Sequence, residues 1–322
     1  MNFTEIKTES DFLDVSIQNF KYQFNNNLVF RNYCKLVGYK EEITASLQEI
    51  KFLPVELFKS NKIYCGVSDE EKIFTSSGTT GQINSKHYVK NISTYEKSFL
   101  KCFELFYGKP EDYCFLFLLP SYLERSGSSL VYMANYLIEN SKNPSSGFFL
   151  NNYDELKLQL IEQKRKKEKT MLFGVTYALL DLCEMEIPLD ENFIVMETGG
   201  MKGKRKEMIK EELHQILKEK FRVSKIHSEY GMTELLSQAY SKGDGIFECP
   251  PWMRIIIRDP YNPMEFLPEG KSGAINIIDL ANIDSCSFLA TQDLGRSLGN
   301  GKFEVLGRMN NAELRGCNLM ID

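Results

Sequence analysis

The sequence predicts an α/β protein whose mostly parallel sheets are flanked by helices and followed by a C-terminal β appendage. Three observations predict it. Near-continuous apolar runs at 113–119, 171–173, 193–196 and 223–226 read as strands covered on both faces. Amphipathic stretches near 92–106, 128–139, 154–164, 175–184 and 206–220 alternate with those strands, as in βαβ units. After about residue 245 helical spacing stops, leaving short strands split by Pro, Gly and Asn turns.

In chain order, residues 10–60 read as helical, because Phe12, Leu13, Ile17, Phe20 and Phe24 keep a 3.6-type spacing with polar residues between them. Alternation begins near 71 with a strand, Lys72 to Thr75. In the helix over 92–106, Ile92, Tyr95, Phe99, Cys102, Phe103 and Phe106 share one face. The basic run 164–169 (KRKKEK) reads as the solvent side of a helix. The appendage comprises MRIIIRD (253–259), GAINIID (273–279), SCSFLAT (285–291) and KFEVLGR (302–308).

A chain of 322 residues can bury one large core or two smaller ones. Its 43% hydrophobic and 26% charged residues exclude disorder, a collagen-like fibre and a small disulfide scaffold. With 39 Lys+Arg against 44 Asp+Glu, the net charge of −5 offers no global basic field for nucleic acid. The eight cysteines contain no CxxC pair, and His87, His214 and His227 are too scattered for a structural zinc site. No signal-peptide pattern opens the chain, and no apolar run approaches the ~20 residues of a membrane span. A cytoplasmic protein with reduced thiols is the expectation, so a cysteine that matters acts as a nucleophile rather than a staple.

Five segments carry chemistry. Ser76, Ser77, Gly78, Thr79, Thr80 and Gly81 follow the strand ending at Thr75. Glycines admit φ > 0 and close approach, and consecutive N–H groups and hydroxyls then cradle phosphate. A Walker A pattern is absent, and a plain polar turn is the alternative. HSEYGMTE (227–234) places Tyr230 to stack on a base, Thr233 to meet phosphate and Glu234 to hold Mg²⁺; a helix start capped by Thr233 is the alternative. In ETGGMKGKRKE (197–207) a strand ends at Gly199-Gly200 and runs toward a helix N-terminus, as a ligand turn or a plain connection. TQDLG (291–295) sets Asp293 at a strand end, where it could accept hydrogen bonds from ribose, and the chain closes on LGRMNNAELRGCNLMID (306–322). Glycine- and hydroxyl-rich turns after strands suit ligand binding at the carboxyl edge of an open α/β sheet, with ATP and Mg²⁺ as the expected ligands.

Taken in order, TSSGTTG, TGG, YGMTE, TQDLG and the final GR…RG resemble the core motifs of the acyl-adenylate-forming superfamily, over about 73–322. SYLERSGSSLVYM (121–133), ETGGMKG and the terminal RGC (315–317) are similar, more narrowly, to the acyl-protein synthetases of bacterial bioluminescence. That resemblance implies an enzyme that couples a fatty acid to ATP, giving acyl-AMP and pyrophosphate. It then holds the acyl group on a cysteine, as a thioester, for a reductase. It implies a helical segment over 1–70 and a large adenylate-forming domain over 71–322, ending at the hinge with a short Cys-bearing tail and lacking the superfamily's small C-terminal domain.

Carried over position by position, the resemblance puts Ser76 to Gly81 around the ATP phosphates and Gly199 and Gly200 along the adenine pocket. Tyr230 would stack on adenine beside Gly231, with Thr233 on the α-phosphate, Glu234 on Mg²⁺, and Asp293 and Arg308 on the ribose. Cys317 would accept the acyl group. The chain departs from the superfamily at the phosphate loop: a lysine usually follows the last glycine by three residues, whereas here Lys86 comes five later with no proline before it. Two other readings remain: an acyl- or aryl-activating transferase that loads the phosphopantetheine thiol of a carrier protein, and an inactive nucleotide- or acyl-binding protein.

Overall fold

The computed structural model describes residues 2–40, 46–76, 83–120, 127–200 and 208–309. The helices are α1 (Glu9–Asn26), α2 (Leu28–Leu36), α3 (Ile92–Tyr107), α4 (Ser129–Asn140), α5 (Tyr153–Lys166), α6 (Thr176–Cys183) and α7 (Lys210–Phe221). The strands begin with β1 (Leu53–Pro54), β2 (Lys72–Thr75), β3 (Lys86–Val89), β4 (Cys114–Leu118), β5 (Gly147–Phe149), β6 (Thr170–Val175) and β7 (Phe193–Thr198). They continue with β8 (His227–Tyr230), β9 (Ala239–Ser241), β10 (Ile246–Glu248), β11 (Met253–Arg258), β12 (Ser272–Asp279), β13 (Phe288–Gly299) and β14 (Lys302–Arg308). Two compact units result: Met1–Lys72, Ser85–Ile92 and Glu248–Asp322 in one, Ile73–Asn84 and Ser93–Phe247 in the other.

The second unit holds a parallel sheet in the order β5-β4-β6-β7-β8, with β9 antiparallel to β8. The strand order reverses between β4 and β6, the switch-point arrangement of doubly wound folds. Every residue of β4 and β6 is buried, which is why both read as unbroken apolar runs. Phe117 and Phe173 meet across these strands with ring centroids 5.2 Å apart. α3 turns Tyr95, Phe99, Cys102 and Phe103 inward, as its spacing predicts. The basic run lies largely exposed at the end of α5, where Lys164, Arg165 and Lys166 suit the negative end of the helix dipole.

One strand lies elsewhere than the apolar pattern suggests. Residues 223–226 form a connection after α7, which ends in a left-handed Arg222 (φ 56°), and β8 is instead His227–Tyr230. Its central residues, Ser228 and Glu229, are polar and buried, so hydrophobicity alone points to the wrong four residues.

In the first unit β11, β12, β13 and β14 pair antiparallel, and β1 adds parallel to β13. The helix expected over 10–60 stops at Leu36, and beyond it the described residues run as 3-10 turns and the short β1. Phe12, Phe20 and Phe24 of α1 point inward, but so do Asn19 and Gln23, while Leu13 and Ile17 are only half-buried. The reason is a ladder of amide hydrogen bonds. Asn19 Nδ2 donates to the Leu280 carbonyl (3.2 Å), Gln23 Nε2 to those of Asn282 (2.9 Å) and Ile283 (2.8 Å), and Asn27 Nδ2 to that of Ser285 (3.0 Å). Those carbonyls belong to a turn that supplies no strand partner, so buried side-chain amides satisfy them. β13 also overruns the strand expected at 285–291. It takes in TQDLG, with register shifts between Leu294/Gly295 and Ser297/Gly299, so Asp293 sits inside a long strand rather than at a strand end. Among the described residues no helix is long and apolar enough to cross a membrane.

Candidate functional site

In the second unit the carboxyl ends of β6, β7 and β8 lie in register, Val175 opposite Thr198 and Thr198 opposite Glu229. The residues that follow are therefore neighbours: Thr176 at the start of α6, Gly199 and Gly200 after β7, and Tyr230 and Gly231 at the end of β8. Gly199 has φ +70°, a conformation that a side chain disfavours. Among the described residues no atom lies within 4 Å of where a Cβ on Gly200 would stand. The buried Thr176 Oγ1 lies 3.2 Å from both Glu197 Oε2 and the Gly199 carbonyl oxygen, fastening the turn to α6.

Tyr230 is half-buried, its ring edge-on to Phe247 at 6.0 Å between centroids. A Cβ on Gly231 would run into Glu229 Oε1, so any larger residue there has to displace that carboxylate. Residues 231–238 contain no helix, which sets aside Thr233 as an N-cap; Leu235 N–H instead donates to the Met232 carbonyl at 3.0 Å. Thr233 is half-buried and Glu234 buried within these turns.

Beneath the two turns lies a buried charged network that sequence reasoning missed. Burial alone would push the Glu197 carboxyl up. The Lys210 ammonium at 2.6 Å, with hydrogen bonds from His214 and Ser228, outweighs that and holds it at about 2. Glu229 is buried as deeply, accepts a hydrogen bond from Thr198 Oγ1, and is pushed up to about 7 by burial and the nearby Glu197 charge. Burial and the charges of Lys242 and Lys225 lower His227 to about 4, and its Nδ1 lies 3.1 Å from the Tyr107 hydroxyl. A signal existed at one of them: an acid near the end of the otherwise apolar strand FIVMET, with Lys210 opening the next helix.

Ser76, half-buried, ends the first motif's stem. Thr75 N–H donates to the Gly127 carbonyl (2.8 Å), and a Cβ on Gly127 (φ +95°) would press within 2.8 Å of Thr75 Oγ1. The stem of SSGTTG is thus tied to the GSS that opens α4. Ser77, Gly78, Thr79, Thr80 and Gly81 lie outside the described residues, as does Cys317. Lys86 is exposed at the start of β3.

Asp293 and Arg308 form a second group, in the first unit. They face each other across β13 and β14, with Arg308 Nε donating to Asp293 Oδ1 at 3.3 Å. Among the described cysteines, Cys34, Cys65, Cys102, Cys114, Cys183 and Cys286 are buried and Cys249 is half-buried. Burial raises the thiols of Cys34 and Cys65 to about 12 and that of Cys114 to about 11. Among the described residues no cluster of three or more His, Cys, Asp or Glu forms a metal cage. Mg²⁺ needs no such cage, since it takes one or two carboxylates and completes its octahedron with phosphate oxygens and water.

Residues 122–322 match the family model described as acyl-protein synthetase, LuxE. No curated protein is similar enough in sequence to count as a relative. Among solved structures, ATP-bound MatB from Rhodopseudomonas palustris is similar over 73% of this chain and 47% of its own, at 17% identity and a TM-score of 0.55. An open conformation of 2-hydroxyisobutyryl-CoA ligase, in complex with 2-HIB-AMP and CoA, is similar over 94% of this chain and 70% of its own, at 13% identity and a TM-score of 0.68. The chain spans about half the length of the MatB structures it matches, and at these identities the likeness is one of fold.

Proposed function

The chain belongs to the acyl-protein synthetase family LuxE, and from that membership we propose that it activates a fatty carboxylic acid with ATP and passes the acyl group to a thiol. The observation that carries this reading is the register of β7 with β8, which sets the TGG and YGMTE turns side by side at the carboxyl edge of the sheet. A glycine backbone beside an aromatic ring, a hydroxyl and a buried carboxylate is what an adenosine phosphate requires.

In the first step a carboxylate oxygen of the acid attacks the α-phosphorus of ATP. The bond to pyrophosphate breaks, leaving acyl-AMP. Tyr230 stacks on the adenine between Gly199-Gly200 and Gly231, and Thr233 donates to an α-phosphate oxygen as charge grows there. Ser76 to Gly81 surround the leaving phosphates, while Asp293 and Arg308 hold the ribose. Glu234 would hold Mg²⁺, which when bound neutralises phosphate charge.

In the second step the thiolate of Cys317 attacks the acyl carbon and AMP departs, giving a thioester. The six buried cysteines offer no rival, because burial blocks the acid's approach, and at Cys34, Cys65, Cys114 and Cys286 desolvation also disfavours the thiolate. The thioester then passes to an acyl-accepting protein, a reductase or a carrier. ATP–pyrophosphate exchange, measured across acids of increasing chain length, tests the first step: exchange that depends on a fatty acid supports it, and none with any acid overturns it.

A further inference from the structure

Glu229 bridges the two turns of the site. Its Oε2 accepts from Thr198 Oγ1, the last residue of β7 before Gly199-Gly200, and its Oε1 lies against Gly231, just past Tyr230. The side chain is 7% exposed and, among the described residues, Thr198 is its hydrogen-bond partner. The geometry points to Glu229 as a positioning residue of the nucleotide site, whose neutral carboxylic acid holds the TGG and YGMTE turns together and whose ionisation opposes binding of the anionic nucleotide. This rests on reading those turns as the nucleotide site.

The charged and titratable groups around it support that sign. Glu197 on β7 is a second buried acid, and it stays ionised through Lys210 and His214 of α7. Among the described residues Lys210 is the cation that acts on Glu229, and it is already paired with Glu197, so a charge on Glu229 adds to that of Glu197. Tyr95 of α3 and Tyr240 of β9 also feel Glu229, and burial keeps both as neutral phenols. A carboxyl pushed up to about 7 changes state across neutral pH, so the cost to a polyanion appears in that range.

The test is calorimetric binding of ATP to the full chain between pH 5.5 and 8.5 for wild type, Glu229→Gln and Thr198→Val. Glutamine keeps an acceptor for Thr198 and mimics the neutral acid. The ratio of wild-type to Glu229→Gln Kd cancels the titration of ATP itself. That ratio should rise about three- to tenfold from low to high pH, with its midpoint near neutrality. Thr198→Val removes the hydrogen bond that favours the ionised form, so its midpoint should move to higher pH. ATP binding with a ratio flat in pH would overturn the positioning role and leave the nucleotide reading standing. No ATP binding by wild type at any pH would overturn both.

Discussion

Arg308 reaches across from β14 to Asp293 on β13, yet the two side chains live in different surroundings: Arg308 is 74% exposed and Asp293 only 15%. An exposed guanidinium contributes about 0–1 kcal/mol to folding through such a pair. Asp293→Asn should therefore leave the melting temperature nearly unchanged. If the carboxylate holds ribose hydroxyls, the same change weakens ATP binding about tenfold or more. Thermal melts and calorimetry on one preparation separate the two effects.

Cys317→Ser should leave fatty-acid-dependent pyrophosphate exchange intact while abolishing transfer of radiolabelled acyl groups to the chain. Full labelling of the serine variant would sink the acceptor assignment. Transfer by that variant to an added carrier protein would favour a carrier thiol as the acceptor.

Glu234→Ala should lower the exchange rate about a hundredfold, since a metal ligand is lost where charge develops. Raising Mg²⁺ concentration should restore part of the rate. An unchanged rate contradicts the metal role.

Lys210→Met should strip Glu197 of its ammonium and destabilise the fold by about 3–5 kcal/mol, the cost of an unpaired buried charge. The pH dependence has a definite sign. Glu197 is depressed from 4.5 to about 2 on folding, so its stabilisation is present above pH ~4.5 and is lost as pH falls toward 2. Denaturant melts at pH 7 and pH 3 should show wild type losing part of this difference, and Lys210→Met losing less.

Gly231→Ala places a methyl against Glu229 Oε1, on a buried carboxylate whose other oxygen accepts from Thr198 Oγ1. Overpacking of that kind costs about 1–3 kcal/mol and should also raise the KM for ATP. In a Glu229→Ala background, which removes the clashing oxygen, the same substitution should cost less than it does in the wild type.

The helices α3 to α6 and the strands β4 and β6 were legible because their burial is carried by apolar side chains at regular spacing. α1 was half legible: Phe12, Phe20 and Phe24 gave its inner face, but Asn19 and Gln23 share that face for carbonyls some 260 residues away in the chain. β8 escaped for a related reason, since its buried centre is Ser228 and Glu229. The turns TGG and YGMTE stood out because glycine and hydroxyl chemistry is local. The acids beneath them did not, because a buried Glu197 reads as an exposed one until Lys210 folds over it.

The amide ladder of α1 also sets a timetable. Asn19, Gln23 and Asn27 wait for Leu280, Asn282, Ile283 and Ser285, so the first helix leaves the ribosome some 250 residues ahead of its partners. At ordinary translation speeds that is a delay of roughly 10–50 s. Through it Phe20 and Phe24 have Phe30 and Tyr39 to pack on but not Phe288, while the intervening parallel sheet has time to assemble. The amide ladder of α1 thus closes only after those carbonyls have been made, and until then Asn19, Gln23 and Asn27 are open to mispairing.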